Sequence, residues 1–325
     1  MPNFENIFLA AAEGTVEDVK YFLEKKGCSI NDKDEGDWIP LHHAAKQNSN
    51  IKVLEYLVFQ GSDVNNKSNS GRTPLHAAAQ GNKNIEIFNY LISKGADVNA
   101  KNNDGDTILH DAASFNINLN VLEFIITQGI DINIRNFNDF TPLHSAALSN
   151  SNPEVTKYLI TKGADIRAKD INGGTPLHIA AQNKNIYVSK FLVSNGADVN
   201  EKNQFLLTPL HYSAGNKNIE IAKFLLMKGA DIEAKDDHGS TPLMFALSCE
   251  CFEAAKFFIS AGAVVNTKNN KGHTPLIWAM KYENIELIKI LITKGAVINT
   301  MVVDFAKELN NIDIVNYLCE VLRNM

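Results

Sequence analysis

Arginine is nearly absent from this chain, with four residues set against 27 lysines, and the net charge is −6. Scattered lysines without arginine clusters do not make the basic face that grips a phosphate backbone, so no nucleic-acid partner is expected. Cysteine is also sparse. Cys28, Cys249, Cys251 and Cys319 contain no Cys-x-x-Cys pair, and one residue between Cys249 and Cys251 near a helix turn is poor disulfide geometry. The four therefore read as reduced thiols in a reducing compartment, which places the chain in the cytoplasm. Long apolar runs are missing too: no stretch approaches the ~20 residues that cross a bilayer, so no membrane contact is expected. The opening Met-Pro-Asn-Phe-Glu-Asn lacks the basic start and apolar run of a signal peptide. The motifs Gly-x-x-x-x-Gly-Lys-Ser/Thr, Gly-x-Ser-x-Gly and His-Glu-x-x-His do not occur. Acid pairs such as Asp236-Asp237 and Asp104/Asp106 read as exposed loop residues, fully ionised and unsuited to general acid work. No catalytic residue, cofactor or metal site is expected.

What is present is one unit rewritten along the chain, seen most plainly in residues 71–104. Thr73 can accept free N–H groups at a helix start, and Pro74 supplies the backbone angle of the first helical position. Leu75, Ala78 and Ala79 give a short helix with a small, packable face. The polar turn Gly81-Asn82-Lys83-Asn84 restarts a second helix with Asn84 as its cap. Ile85, Phe88, Leu91 and Ile92 fall on one side of it. Gly95 ends that helix, because glycine tolerates the left-handed conformation found there. The stretch from Asp97 to Thr107, with Gly105 near its tip, reads as a β-turn or hairpin leading to the next unit.

The period can be counted. The Leu of the Thr-Pro-Leu slot recurs at Leu41, Leu75, Leu109, Leu143, Leu177, Leu210, Leu243 and Leu276, at intervals of 34, 34, 34, 34, 33, 33 and 33. A histidine follows at His42, His76, His110, His144, His178 and His211. Gly-x-Asp closes units at Gly61/Asp63, Gly95/Asp97, Gly129/Asp131, Gly163/Asp165, Gly196/Asp198 and Gly229/Asp231. This pattern resembles the ankyrin repeat over essentially the whole chain. The resemblance implies an all-α solenoid of helix-turn-helix units joined by β-turn or hairpin loops, each unit touching mainly its neighbours. It also implies that the Thr–His pair ties each helix start to neighbouring backbone. Six histidines spaced by packed helices ~8–10 Å apart cannot converge on one metal ion. His238 and His273 sit on turn tips and read as solvated.

The chain reads as a single domain, 1–325, a gently curved stack of ten helix pairs. An N-terminal cap spans about 4–38, full repeats about 39–299 and a C-terminal cap about 300–325. In the first cap Ile7, Ala10, Ala11, Val19, Phe22 and Leu23 pack inward, while Asn3, Glu5 and Asn6 meet water. In the last the loop is missing, and a shortened helix pair from about Met301 to Arg323 puts Val303 in the Leu slot. Both ends are thus expected to be closed. Most units of the N-terminal half carry one extra residue between their helices, as at Asn48-Ser49-Asn50 and Asn150-Ser151-Asn152. From Thr241 onward His gives way to Met244 and Ile277, and the loop Asp to Val264 and Val297. These units are expected to keep the fold and hydrogen-bond their loops less well.

In the family, binding is carried by the turn tips and the exposed ends of the first helices, which line a concave face. Five tips here keep a glycine (Gly71, Gly105, Gly173, Gly239, Gly272) and three replace it with Asp37, Asp139 and Leu206. Leucine in a left-handed position costs about 1–2 kcal/mol, so the Leu206 turn is expected to adopt another shape. Around these tips stand Phe137, Phe140, Ile171, Phe205, Leu206 and Leu207, with Phe115 and Leu148 on the neighbouring first-helix ends. As a contiguous exposed patch they would form a contact surface; alternatively, they fold onto adjacent tips and stiffen them. Asp104, Asp106 and Asp111 form an acidic margin, Arg72 marks its N-terminal side, and Trp38 is a second anchor, Trp being enriched at interface centres. The function read from these residues is a non-catalytic, monomeric scaffold gripping an unidentified protein. One alternative is an effector that an intracellular microbe delivers into the host cytosol; another is an enzyme with an unrecognised site.

Overall fold

The computed structural model describes residues 4–150, 152–183, 185–215, 219–309 and 311–323. They divide into two compact units, Met1–Ile171 and Asn172–Met325. Among the described residues every regular element is a helix and no strand forms.

The first unit holds five helix pairs: α1 (Ile7–Glu13) with α2 (Val16–Lys25), α3 (Pro40–Gln47) with α4 (Ile51–Phe59), α5 (Pro74–Gly81) with α6 (Ile85–Ser93), α7 (Ile108–Phe115) with α8 (Leu119–Thr127), and α9 (Pro142–Ser149) with α10 (Pro153–Thr161). The second holds α11 (Pro176–Gln182) with α12 (Ile186–Ser194), α13 (Pro209–Ala214) with α14 (Ile219–Met227), α15 (Pro242–Ser248) with α16 (Phe252–Ser260), α17 (Pro275–Lys281) with α18 (Ile285–Thr293), and α19 (Thr300–Glu308) with α20 (Ile312–Arg323). Within each unit first helices stack on first helices and second on second. Helices this short are marginal alone, so lateral packing holds them. The repeating leucine supplies much of it: Leu41, Leu75, Leu109 and Leu143 have no exposed surface, nor have Leu177, Leu210 and Leu243. Burying each one fully is worth about 1.5–3 kcal/mol.

Two polar ladders set the register. In the first, each histidine joins a helix start to the following loop. The Thr73 N–H lies 3.3 Å from His76 Nδ1, and His76 Nε2 lies 3.2 Å from the Asp106 carbonyl. The same pair of contacts recurs at His42, His110, His178 and His211. A backbone N–H can only donate and a carbonyl can only accept, which fixes each ring as the neutral Nε2–H tautomer. Both ring nitrogens are thereby occupied in the fold. In the second ladder, buried Asn48, Asn82, Asn116 and Asn150 each donate to two carbonyls of the preceding unit. Asn82 Nδ2, for instance, reaches Ala45 O at 2.8 Å and Asn48 O at 3.0 Å. The Asn82 carbonyl oxygen then accepts from Asn84 N, so the longer turn of the N-terminal units houses a structural side chain. Asn84 in turn caps α6 through Glu86 N, as the sequence indicates. Gly95 follows at φ +90°, the left-handed exit glycine adopts freely.

The ends hold two corrections. Asn299 caps α19 directly, so the missing part is the connecting loop, and the helices themselves, at 9 and 12 residues, are full length. Without the loop the register moves: Val302 and Ala306 face inward and are buried, whereas Val303 is only half-buried. At the other end Ile7, Ala10, Ala11, Val19 and Phe22 are buried, Leu23 is half-buried, Glu5 is exposed, and Asn6 caps α1. Asn3, and Ser151 of the inter-helix turn, lie outside the described residues.

Candidate interaction surface

Each loop is built on one side chain that the Thr-Pro-Leu-His pattern does not include. Asn102 Oδ1 accepts the N–H groups of Asp104 and Asp106 at 2.9 and 2.8 Å. Asn136, Asn203, Asp236 and Asn269 do the same in their loops, as does Asp34 for Gly36 and Trp38. The signal was available in the sequence, since Asp34, Ser68, Asn102, Asn136, Asp170, Asn203, Asp236 and Asn269 follow the same period as the leucine. It also corrects the reading of Asp236, which is 8% exposed and a backbone acceptor in place of a free loop acid. Successive tips are then joined by one backbone bond each, such as Phe137 N to Asp104 O and Ile171 N to Asn138 O, both within the first unit.

This scaffold overrides the conformational preference of Leu206. Its φ is +56°, close to the +58° of Asp37 and +57° of Asp139, so the turn keeps the shape of its glycine-bearing counterparts. The left-handed penalty of ~1–2 kcal/mol is outweighed by four local bonds: Asn203 Oδ1 with Phe205 N and Leu207 N, Leu206 N to Asn203 O, and Asn203 N to Leu207 O. Each contributes about 1 kcal/mol net.

The candidate side chains separate into two groups. In the first unit Phe137 is 65% exposed, Phe115 54%, Ile171 52% and Leu148 49%. Phe137 leans over Gly105, where a Cβ would come within 2.8 Å of its ring, and the Lys101 ammonium stands 5.7 Å from the ring centroid. In the second unit Phe205 and Leu206 are 46% and 44% exposed. Trp38, Phe140 and Leu207 are half-buried. The Phe140 ring stacks on His144 with centroids 5.2 Å apart, and Trp38 packs on His42 and His43 under the Lys46 ammonium.

Most of the polar candidates have partners within the fold. Asp111 leaves the acidic margin, being only 2% exposed. The Arg72 guanidinium donates to both its oxygens at 3.2–3.3 Å, and Gln80 adds a further bond. Asp106 accepts from Asn136 Nδ2 at 2.7 Å, which leaves exposed Asp104 as the outermost carboxylate of the three. His238 is solvated, whereas His273 is half-buried edge-on to Trp278. Burial holds the imidazoles of His76, His110 and His211 below their ordinary range and pushes that of His42 down to about 4. Among the described residues no three His, Cys, Asp or Glu side chains gather as a metal site, all four cysteines are free thiols, and no helix is long and apolar enough to cross a membrane.

The family model for ankyrin repeats (3 copies) matches in seven overlapping windows, residues 7–102, 41–136, 83–170, 109–203, 143–236, 190–269 and 210–302. The chain is an ankyrin-repeat protein. No curated protein matches it. Ankyrin arrays generally serve as protein–protein interaction modules, and several loop tips of this one expose apolar side chains.

Proposed function

We propose that this ankyrin protein is a non-catalytic scaffold that binds a protein partner through its loop tips and the exposed ends of its first helices. The observation that carries this reading is Leu206. Its backbone conformation suits glycine, its side chain is 44% exposed, and neither the turn nor the core requires a leucine there. A strained apolar residue held in solvent by an over-determined loop points to a role outside the fold. In the first unit, Phe137 and Ile171 on hydrogen-bonded neighbouring tips support the same reading. Phe115 and Leu148 extend this surface, while Asp104 offers a carboxylate beside it. Arg72, Asp106, Trp38, Phe140 and Leu207 act chiefly by holding the tips in place.

A photo-crosslinking amino acid at position 137 or 205, with position 320 on the exposed side of α20 as control, tests the proposal. A discrete protein captured from both tip positions and absent at 320 is the expected result. Equal capture from all three positions overturns it.

A further inference from the structure

We infer that Phe59 and Met227 are anchors of second-helix grooves that dock an acidic amphipathic segment of a partner protein, independently of the loop tips. The repeat supplies its own control. Two residues before the glycine that ends each second helix stands Ser93, Thr127, Thr161, Ser194, Ser260 or Thr293. In every one of these the hydroxyl folds back onto a carbonyl of the last turn at 2.6–2.8 Å, a second bond to an oxygen that at Tyr90, Tyr158, Phe191 and Phe257 also accepts a backbone N–H. Among the full repeats only Phe59 and Met227 break this rule. They are also the most exposed large apolar side chains among the described residues, at 84% and 77%. The repeat fills this slot six times with a small hydroxyl residue that meets its own polar needs, so the fold does not call for a large apolar side chain there.

Each exception borders a groove. In the first unit Phe59, Tyr56, Val58 and Tyr90 line a cavity of about 620 Å³, with Lys52, Lys94 and Glu55 in its wall. In the second, Met227, Phe224, Leu226 and Phe257 line one of about 600 Å³, with Lys190, Lys223 and Glu220 in its wall. The two sites therefore share a composition: an apolar floor, one protruding anchor, and two lysines to one glutamate, on a chain whose net charge is −6. In the second site the glutamate pairs with Lys223 at 2.7 Å and leaves Lys190 as the excess positive charge. Such a rim favours carboxylates placed beside apolar side chains. A volume of this size takes a few side chains of a helix laid in the groove.

The test uses the full chain and a labelled synthetic helix carrying leucines at i, i+3, i+4 and i+7 between glutamates. A lysine-for-glutamate version and phosphatidylserine-containing vesicles serve as comparators. Phe59→Thr with Met227→Thr installs the residue type the repeat itself uses, so melting temperature should hold or rise. The expected result is that the acidic peptide binds, weakens with added salt, loses roughly tenfold or more in affinity in the double variant, and is unaffected by Phe137→Ser. Failure of the acidic peptide to bind, equal binding by the double variant, or equal binding of the lysine peptide would overturn the inference. So would binding to the vesicles and not to the peptide that the double variant abolishes, which would assign the anchors to a membrane surface.

Discussion

Protonating one repeat histidine breaks its bond at the helix start and charges a buried ring. Its Nδ1 gains a proton and stops accepting from the backbone N–H at the helix start, while Nε2 goes on donating to the loop carbonyl. The direction of the pH effect follows. For His42, His76, His110 and His211 the folded state holds the imidazole neutral, so the unfolded chain binds more protons once pH drops below its ordinary value near 6.5. The stabilisation is complete above that value and is lost as pH falls toward the depressed one, about 4 for His42. Each histidine can contribute a slope of up to about 1.4 kcal/mol per pH unit in that window. Melting temperature should be level above neutrality and fall steadily below pH ~6.5; a flat profile through this range would contradict the assigned tautomers. Met244 offers the converse test. Thr241 Oγ1 is buried without a partner, and the residue 29 positions after Met244 is His273, which matches the spacing from His211 to its Ser240 acceptor. Met244→His should restore the bridge and raise the melting temperature by about 2–4 °C. Ile277→His should not, since the equivalent position is Ala306, inside α19 where no loop carbonyl waits. Equal stabilisation by both would show that the bridge is not the cause.

At the scale of the helix pair, the pairs after Thr241 should open first. Thr241 and Thr274 leave buried hydroxyls unpaired, at about 1–3 kcal/mol each. Val264 and Val297 cannot form the loop bond that Asp97 makes with Asn99 N, although their own N–H groups still reach Glu233 and Asn266. Amide exchange should therefore be faster in residues 242–299 than in 73–170, and equal or stronger protection there would refute the idea. Helix positions and the leucine column were legible from the sequence because a fixed period repeats the same caps many times. The register of α19 was not, since the loop that marks it is gone and one residue's difference exchanges Val302 for Val303. The shape of the Leu206 turn was also hidden. Its penalty belongs to one residue, while the bonds that outweigh it belong to Asn203 and the whole loop.

For the molecule as a whole, the sequence located the apolar tips but not which of them are spoken for. Asp111 looked available because its partner, Arg72, stands 39 residues away, and Phe140 because the His144 ring under it belongs to the next helix. Only the folded structure separates these from Phe137, Ile171 and Leu206, whose side chains stay exposed. Those three are where binding and folding can be measured apart. Full burial of a Phe, Ile or Leu is worth about 1.5–3 kcal/mol, and these are 44–65% exposed, so roughly 1 kcal/mol apiece remains for a partner. The deciding measurement is titration calorimetry with the protein captured at position 137, run beside thermal melting, on the variant Phe137→Ser, Ile171→Ser, Leu206→Gly. Affinity should fall by about a hundredfold while the melting temperature holds or rises, glycine relieving the left-handed backbone at 206. Undiminished affinity with a lowered melting temperature would show that the tips brace the array and bind nothing.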